Sequence, residues 1–594
     1  MPHASEAVHY KVEVANLHAH LYAVTLTIAR PNARQILRLP AWIPGSYLVR
    51  EFARNLQNLR AMQGRRQLEL LQLNKDSWQL EALSSQPLII SYQVYAYDQS
   101  VRTAWLDVQR GFLNGTSLFL RAEGHTELPH SLQVARTNVP ADWKLATGLK
   151  ANRQDSQGFG RFSAPNYDAL ADCPVEMGNF WSASFTALDI PHRFVVSGAA
   201  TPFDEAKLLA DTKNICEAQI RFWHSGPRSV AKTVAPMSSF LFLLNVVPDG
   251  HGGLEHRNST ALIAPRKSLP AKQTAFSAAK SAAISDAYQG LLGLISHEYF
   301  HTWNVKALRP AEFENYDYSR ENYTELLWFF EGFTSYYDDL MLRRSHRIDT
   351  SQYLKLLAKC ANQVWQTPGR KVQSLAKASW DAWIKYYRPD ENTPNATVSY
   401  YTKGALVALC LDLTLRQEGC DGLDSVMRDL WVRCEGGPMR EQDLQDSLMK
   451  LGKRSFGNEI RSWVHGTDDL PVIKLLEQQG VQVHQDKAPL AQRLGVRVKE
   501  SGSIILQNVF RGGAAELAGM ASGDEWIGVQ TRAGSWRVRN LDDVVHYCGD
   551  KKSCVALVAR DDRILKLALA LDSESTAMRF TVRDSNLVNR WLDS

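Results

Sequence analysis

The sequence predicts a multidomain α+β protein, and three observations lead to this prediction. The chain has 594 residues, more than a single hydrophobic core usually serves. Residues 8–185 carry short runs of alternating apolar and polar residues, which are typical of antiparallel strands. From about Ser277 to Gln479 the pattern is mainly helical, and the C-terminal part returns to short strands. We therefore expect domains at 1–186, 187–481 and 488–573, followed by a tail at 574–594.

Composition indicates a globular protein and excludes several partners. Hydrophobic residues make up 44% of the chain and charged residues 22%. The net charge of +5 comes from scattered side chains with no basic block, so we expect no nucleic-acid partner. Eight dispersed cysteines without a C-x-x-C pair predict reduced thiols. Because no signal peptide or membrane span is recognisable, we expect a cytoplasmic protein without a membrane partner.

The predicted N-terminal domain is an antiparallel β domain. Leu21–Ile28 and Leu88–Tyr95 alternate as strands do, and Gly, Pro and polar turns separate such runs. Trp42–Tyr47 reads as a turn with aromatic packing, for which we favour a purely structural role.

Residues 187–265 predict a small mixed sheet with one helix. Strand-like runs at His192–Val196 and Ser239–Leu244 lie on either side of a helical stretch from Asp204 to Trp223. The run Gly252-Gly253-Leu254-Glu255-His256 follows, and its glycines would let the backbone approach a ligand closely. The alternative for this run is a flexible Gly-rich hairpin.

An H-E-x-x-H motif occupies the next helical segment. His297 and His301 are four residues apart, so on a helix both imidazoles leave one face and can share a Zn²⁺ ion. Glu298 stands beside them and can take a proton from a metal-bound water. We expect this helix to begin near Asp286 and to end around Asn304.

A third ligand is needed for a catalytic zinc site, and Glu331 is our candidate. It lies in an aromatic, helix-like run, where an ionised carboxylate is costly unless a cation compensates it. Asp338 follows seven residues later on nearly the same helical face and can accept the spare N–H of a ligating histidine. The alternative for both residues is an ordinary helix charge.

The pattern H-E-x-x-H followed by a remote Glu-Gly-Phe resembles the gluzincin peptidases with a thermolysin-like catalytic domain. The fuller run His297–Lys306, with Arg309-Pro310 after it, resembles the glycyl aminopeptidase family in particular. Further stretches that are similar to this family lie at Trp42–Phe52, Gly252–His256 and Ser399–Ala405, and Tyr167–Gly178 and Asp381–Arg388 also resemble it.

The resemblance implies roles for several residues. Large zinc aminopeptidases carry a Gly-x-Met-Glu-Asn motif whose Glu holds the substrate amine, and Glu255 stands at the matching position. Gly252 and Gly253 would then belong to the strand that pairs with the substrate. Tyr401 would donate its phenol to the oxyanion, with the adjacent Tyr400 as the competitor. Glu176 can also reach a substrate amine, the alternative being a surface-loop carboxylate.

The C-terminal domain resembles a bacterial-type PDZ domain. Leu494-Gly495-Val496 would be its carboxylate-binding turn, and Gln482–Gln492 would be a polar linker in front of it. Such a domain can bind a peptide or a C-terminus, or it can serve as a rigid lid or spacer.

These inferences predict a zinc aminopeptidase with one Zn²⁺ per chain, which cleaves peptides with a free N-terminus by means of a metal-activated water. The family resemblance implies a preference for small first residues, Gly foremost and then Ala. The alternatives are a zinc endopeptidase that recruits substrates through the PDZ-like domain, and a non-catalytic PDZ scaffold. A His₂Glu ligand set also suits Co²⁺ or Mn²⁺.

Overall fold

The computed structural model describes residues 8–224, 235–272, 284–572 and 574–593. Its chain forms two compact units. The first unit comprises Met1–Tyr323 and Trp431–Met439, and the second comprises Thr324–Leu430 and Arg440–Ser594. The predicted domain at 187–481 is therefore divided between the two units. The predicted start of helical structure at Ser277 lies outside the described residues.

The N-terminal domain of the first unit is rich in short strands, as the alternating pattern predicts. Its strands are β1 (Val8–Asn16), β2 (Leu21–Ile28), β3 (Arg34–Arg38), β4 (Leu56–Gln63), β5 (Arg66–Leu68), β6 (Leu71–Asn74), β7 (Ser77–Glu81), β8 (Leu88–Tyr95), β9 (Ala104–Leu106), β10 (Arg110–Leu113), β11 (Arg121–Ala122), β12 (His130–Val134), β13 (Lys144–Thr147), β14 (Lys150–Gln154), β15 (Gly160–Ala164) and β16 (Val175–Gly178). Two short helices, α1 (Gly115–Leu118) and α2 (Tyr167–Ala171), lie between them.

Three sheets organise these strands. The largest has the order β14-β15-β12-β1-β2-β8-β4-β5, and two four-stranded sheets have the orders β13-β16-β10-β9 and β11-β3-β7-β6. Pairing is antiparallel except between β1 and β12, which run parallel. Along β1 every second residue is buried, because successive side chains of a strand point to opposite faces.

A five-stranded mixed sheet follows in the same unit. It is formed by β17 (Trp181–Ala187), β18 (Ile190–Ser197), β19 (Phe240–Val247), β20 (Gly252–Glu255) and β21 (Ser259–Pro265), in the order β17-β18-β19-β21-β20. Strand β19 is buried along its whole length, as expected for a central strand covered on both faces. Among the described strands, β20 pairs with β21 alone and so forms an edge of the sheet.

Helices α3 (Glu205–His224) and α4 (Asp286–Phe300) pack with this sheet, and α4 carries the H-E-x-x-H motif. Ser285 caps α4 by accepting the backbone N–H of Tyr288. From α3, the Gln219 side-chain amide donates to the Ser296 carbonyl at 2.8 Å. The helix ends at Phe300, earlier than the predicted Asn304, and His301 is its C-terminal cap. Strands β22 (Arg309–Pro310) and β23 (Pro438–Met439) pair in parallel.

The second unit begins with a helical region. Its helices are α5 (Leu327–Arg344), α6 (Thr350–Trp365), α7 (Leu375–Trp380), α8 (Thr393–Ala396), α9 (Tyr400–Gln417), α10 (Leu423–Arg433, whose last residues belong to the first unit), α11 (Glu441–Gly452), α12 (Gly457–Ile460) and α13 (Val472–Gln478). Helices α5 and α9 form the most extensive helix pair of this region.

The C-terminal part of the second unit departs from the predicted linker and tail. Within the predicted linker lie β24 (Val481–Lys487) and the start of α14 (Leu490–Leu494), and within the predicted tail lie β31 (Thr576–Val582) and α17 (Ser585–Leu592). Strands β24 and β31 pair antiparallel, so the chain returns to its starting point after the intervening domain. The polarity of both segments comes from the exposed face of a two-stranded ribbon, which resembles a linker in sequence.

The domain between β24 and β31 is a six-stranded sheet with short helices. It contains β25 (Val496–Glu500), β26 (Ile504–Val509), α15 (Ala514–Leu517), β27 (Glu525–Thr531), β28 (Gly534–Arg537), α16 (Leu541–Cys548), β29 (Ser553–Arg560) and β30 (Arg563–Ala570). The sheet order is β25-β26-β27-β29-β30, and β28 pairs with β27. Strand β25 is an edge strand.

Two expectations from composition can be compared with the fold. All eight cysteines are free thiols, as their spacing predicts. Among the described residues, no helix has the length and apolar character that a membrane crossing requires.

We predict that the first unit loses stability between pH 6.5 and pH 4 because of two buried histidines. Burial lowers the pKa of His130 and of His192 from 6.5 to about 4. Between these pH values the unfolded chain binds more protons than the folded one, so stability falls as the pH falls. The cost is about 2 kcal/mol for each histidine at pH 5.

Denaturant titrations at pH 7 and pH 5 measure this effect. In His130→Gln the loss between the two pH values should shrink by about 2 kcal/mol. The exposed His18→Gln variant should keep the wild-type loss. An unchanged loss in His130→Gln would contradict the assignment.

Candidate active site

The two histidines of the H-E-x-x-H motif converge on one point. Their Nε2 atoms are 3.0 Å apart, and the ring planes are nearly perpendicular at 88°. Two nitrogen ligands on one tetrahedral Zn²⁺, each at about 2.0–2.1 Å, would be separated by roughly 3.3 Å. The nitrogen atoms therefore fit a shared zinc ion.

The turn after α4 fixes the orientation of His301. Its Nδ1 lies 2.8 Å from the backbone carbonyl of Asn304, so Nδ1–H donates there and leaves the Nε2 lone pair for a metal. The next residue, Val305, has a φ of 146°, a backbone conformation that is costly for a β-branched side chain. The strained residue directly follows Asn304, whose carbonyl accepts the hydrogen bond from His301.

Glu298 is packed directly against the backbone of β20. A Cβ atom at Gly253 would overlap the Glu298 carboxylate, so a side chain at this position would have to displace it. The absence of a side chain in Gly253 is what lets the buried carboxylate of α4 and the edge strand approach each other. The predicted approach of these glycines to a ligand stays a prediction.

Glu255 is the last residue of β20 and lies close to Glu298 and His301. Ligand atoms of Glu255, Glu298 and His301 all lie within 4.8 Å of one another. The Glu255 side chain is only 4% exposed, and no described residue donates a hydrogen bond to its carboxylate. It contacts the backbone of Gly45, which has a φ of 89° and no room for a Cβ atom. The Trp42–Tyr47 turn therefore forms a wall of the site, beyond the purely structural role predicted for it.

Asp172 organises the charges behind Glu255, and sequence analysis missed it. Its carboxylate accepts from Lys306 Nζ at 2.8 Å and from the Arg257 backbone N–H at 2.9 Å, and it lies 3.2 Å from His256 Nδ1. Burial alone would raise the pKa of Asp172, but Lys306, His256 and Arg257 outweigh it and hold the pKa well below its usual range. Asp172 falls in the family-like stretch Tyr167–Gly178, which is the signal that could have found it.

Glu176 is held by an ion pair inside the first unit. Its carboxylate forms a bidentate ion pair with Arg110, with both N–O distances at 2.8 Å, and it accepts a hydrogen bond from Ser197 Oγ. The side chain is 2% exposed on β16, so the alternative of a surface-loop carboxylate is wrong. The Arg110 guanidinium balances the charge of this carboxylate, and the predicted contact of Glu176 with a substrate amine stays a prediction.

In the second unit, Glu331 lies on α5 and is 2% exposed. Tyr401 lies in the first turn of the neighbouring helix α9, and burial together with the negative charge of Glu331 raises the pKa of its phenol well above 10. The Tyr401 hydroxyl therefore stays protonated at neutral pH and can donate a hydrogen bond. Its oxygen lies 3.4 Å from the hydroxyl of Tyr387, which belongs to the family-like stretch Asp381–Arg388.

Tyr400, the competitor of Tyr401, is fully buried, whereas Tyr401 is partly exposed. Partial exposure favours Tyr401 as the tyrosine that can meet a ligand. Asp338 lies on the same helix as Glu331 and accepts the backbone N–H of Asp339. The Asn304 carbonyl already accepts the spare N–H of His301. His297 is therefore the ligating histidine from which Asp338 could accept, and this role of Asp338 stays a prediction.

Two glycines let α5 and α9 approach each other. A Cβ atom on Gly332 would stand 2.5 Å from Gly404 Cα, and one on Gly404 would stand 2.5 Å from the Trp328 carbonyl oxygen. These glycines belong to the Glu-Gly-Phe and Lys-Gly-Ala runs of the sequence. Their close contact brings the helices that carry Glu331 and Tyr401 side by side.

The geometry defines a class of protein. A helix-borne pair of convergent imidazoles, a buried carboxylate between them in sequence and an adjacent edge strand are the parts of a metal-dependent peptidase. The donor atoms present fit zinc.

Comparison with known proteins identifies the family. The M61 glycyl aminopeptidase model matches residues 290–407, and the peptidase M61 N-terminal domain model matches residues 9–179. The crystal structure of the aminopeptidase N family protein from Idiomarina loihiensis is 35% identical, has a TM-score of 0.91 and covers 98% of this chain and 100% of its own. The chain therefore belongs to the M61 glycyl aminopeptidase family and is a peptidase of the metallo-aminopeptidase type, which confirms the resemblance seen in the sequence.

A further solved structure found by the comparison is more remote. An M1 zinc metallopeptidase from Deinococcus radiodurans is 16% identical, has a TM-score of 0.47 and covers 78% of this chain and 94% of its own. A comparison with curated proteins finds no match.

We predict that Gly332→Ala destabilises the second unit even though alanine favours helices. The new methyl group must push apart α5 and α9, which costs about 1–3 kcal/mol. Gly290→Ala is the matched control, because Gly290 lies in α4 with no atom within 4 Å of the added methyl group. That change should stabilise by about 1 kcal/mol. Thermal unfolding measures both, and a stabilised Gly332→Ala would contradict the packing.

Proposed function

We propose that this protein is a zinc aminopeptidase that releases small N-terminal residues, Gly foremost and then Ala, from peptides with a free amine. The observation that carries the proposal is the position of Glu255. This buried carboxylate accepts no hydrogen bond from the described residues, and its ligand atom lies within 4.8 Å of those of Glu298 and His301. An ammonium group is the ligand that would compensate such a charge.

One Zn²⁺ per chain would be held by His297, His301 and Glu331. The His₂Glu donor set, the convergent imidazoles of the first unit and the buried carboxylate of the second support this assignment. When bound, the ion would supply Lewis acidity, which polarises a carbonyl group and acidifies water.

Glu298 is the proposed general base. It takes a proton from the attacking water, holds it on a carboxylate oxygen and delivers it to the leaving amine. Its fixed position against Gly253 supports this role, because proton transfer requires a carboxylate that is already in place. Tyr401 donates its phenol O–H to the oxyanion, and its raised pKa keeps that proton available.

Glu255 would make the enzyme an exopeptidase. The amine nitrogen of a peptide is two bonds from the first carbonyl carbon, about 2.5 Å away. An amine bound by Glu255 thus places the first peptide bond near Glu298. The Gly45 backbone behind Glu255 supports a cleft that is closed on the amino-terminal side, whereas an endopeptidase needs room there.

For the C-terminal domain we propose a PDZ-like fold. The Leu494-Gly495-Val496 turn leads into the edge strand β25, and the backbone N–H of Leu541 in α16 donates to the Glu500 side chain of that strand. A peptide could pair with β25 by strand addition. The Asn395 side chain bonds to the backbone of Val509 and Arg511, and this attachment equally supports the lid or spacer alternative.

We predict that Glu298→Gln retains zinc but loses turnover, because the amide cannot accept the proton. A positioned general base contributes about 10²–10⁴ in rate, and kcat should fall by that factor. Metal analysis and steady-state kinetics on glycyl substrates measure both quantities. The exposed Glu69→Gln variant is the control, and near-normal kcat in metal-loaded Glu298→Gln would refute the role.

We predict that Glu255→Gln impairs cleavage of free-amine substrates and spares N-acetylated ones. Loss of a charge-assisted contact should lower kcat/KM for glycyl anilide at least tenfold. Residual cleavage of the N-acetyl analogue should change less than threefold. Equal losses on both substrates, or faster cleavage of the blocked one by wild type, would favour the endopeptidase alternative.

A further inference from the structure

The free edge of β20 offers backbone groups beside the proposed catalytic residues. The His256 N–H donates to the Ser259 carbonyl. The backbone N–H and C=O groups of Leu254 and Gly252, two and four residues earlier, therefore also face β21. By the period-two alternation of a strand, Gly253 and Glu255 turn their backbone groups toward the open edge. A substrate whose amine meets Glu255 would run along this edge toward Gly252.

Arg102 stands at the far end of that path. It lies in the loop between β8 and β9, and its Nη2 donates to the Gly253 carbonyl at 3.2 Å. A Cβ atom at Gly252 would be 3.8 Å from Nη1, so the guanidinium faces both glycines.

The charge of Arg102 has no acidic partner among the described residues. Its side chain is half-buried, its only side-chain hydrogen bond goes to the neutral Gly253 carbonyl, and its buried Nε has no acceptor. Nearby arginines differ, because Arg110 is paired with Glu176 and Arg257 with Asp168. A partly desolvated guanidinium without an anion is costly, and a planar carboxylate is the ligand that it binds best.

The spacing along β20 matches a short peptide. Gly253 and Gly252 are two and three residues from Glu255, which corresponds to about 7–10 Å of extended strand. An extended dipeptide or tripeptide has its amine and its carboxylate separated by about the same length. A longer chain would place a neutral peptide group opposite the guanidinium.

We propose that Arg102 binds the free α-carboxylate of the substrate, so that this peptidase acts preferentially on dipeptides and tripeptides. The proposal rests on the proposed aminopeptidase function. Glu255 would contact the ammonium end of a short substrate, and Arg102 would contact its carboxylate end. Glu255 recognises where the peptide begins, and Arg102 recognises where it ends.

The test compares free acids with carboxamides in the full-length zinc enzyme. Substrates are glycyl-alanine, glycyl-alanyl-alanine and the C-terminal amides of both, which differ only in the charge read by Arg102. Variants are Arg102→Met, which keeps the apolar stem, and Arg102→Lys, which keeps the charge. Arg34→Met, an exposed arginine on β3, is the matched control.

We expect wild type to prefer at least one free acid over its amide by tenfold or more in kcat/KM. Arg102→Met should lose about tenfold to a hundredfold on that acid and less than threefold on the amide. Arg102→Lys should recover part of the preference, and Arg34→Met should behave as wild type.

Two results would overturn the proposal while leaving the aminopeptidase function intact. One is a wild-type enzyme that cleaves acids and amides equally well. The other is an equal loss on both in a folded Arg102→Met, which would mean that Arg102 only positions Gly253. If wild type cleaves none of the glycyl substrates, amides included, the proposed function itself fails and this inference fails with it.

Discussion

The site depends on two buried carboxylates that pack against the backbone of glycine residues. Glu298 fills the space that a side chain of Gly253 would take, and Glu255 does the same at Gly45. Burying an anion costs free energy unless its position is fixed and a nearby cation balances its charge. Glycine allows the carboxylates to be held in place because it has no side chain in their way. A cation at the site would balance their charge. The edge strand, the Trp42–Tyr47 turn and α4 are held at the distances that these contacts require.

Charges outside the cleft stabilise this arrangement. Lys306 and His256 come from the segments that follow the histidine motif and the Gly-Gly strand, and both meet Asp172 of the N-terminal domain. Burial would lower the pKa of Lys306, but the Asp172 carboxylate reverses the direction and raises it, so the pair stays ionised. The N-terminal domain therefore contributes electrostatic support, in addition to the wall that Gly45 provides.

Local spacing was enough to predict part of this site. The four-residue interval of His297 and His301 determines that both rings share a helix face. The ion pair of Glu176 could not be predicted, because its partner Arg110 lies 66 residues away in sequence and strand pairing brings the two together. Asp172 was missed for the same reason. The Gly332–Gly404 contact and the β24–β31 ribbon likewise depend on long-range packing that no local pattern contains.

The β24–β31 ribbon makes the C-terminal domain an insertion with two anchored ends. Beyond β31, Trp591 of α17 is fully buried and donates to Asp412 of α9 at 3.1 Å. Truncating the chain after β24 would therefore strip a covering helix from the helical region along with the inserted domain. Lys487 and Thr576 are cross-strand neighbours, so a tight two-residue hairpin could join them directly. Replacing the inserted domain between β24 and β31 with such a hairpin, and not shortening the C-terminus, is the way to obtain the helical region alone.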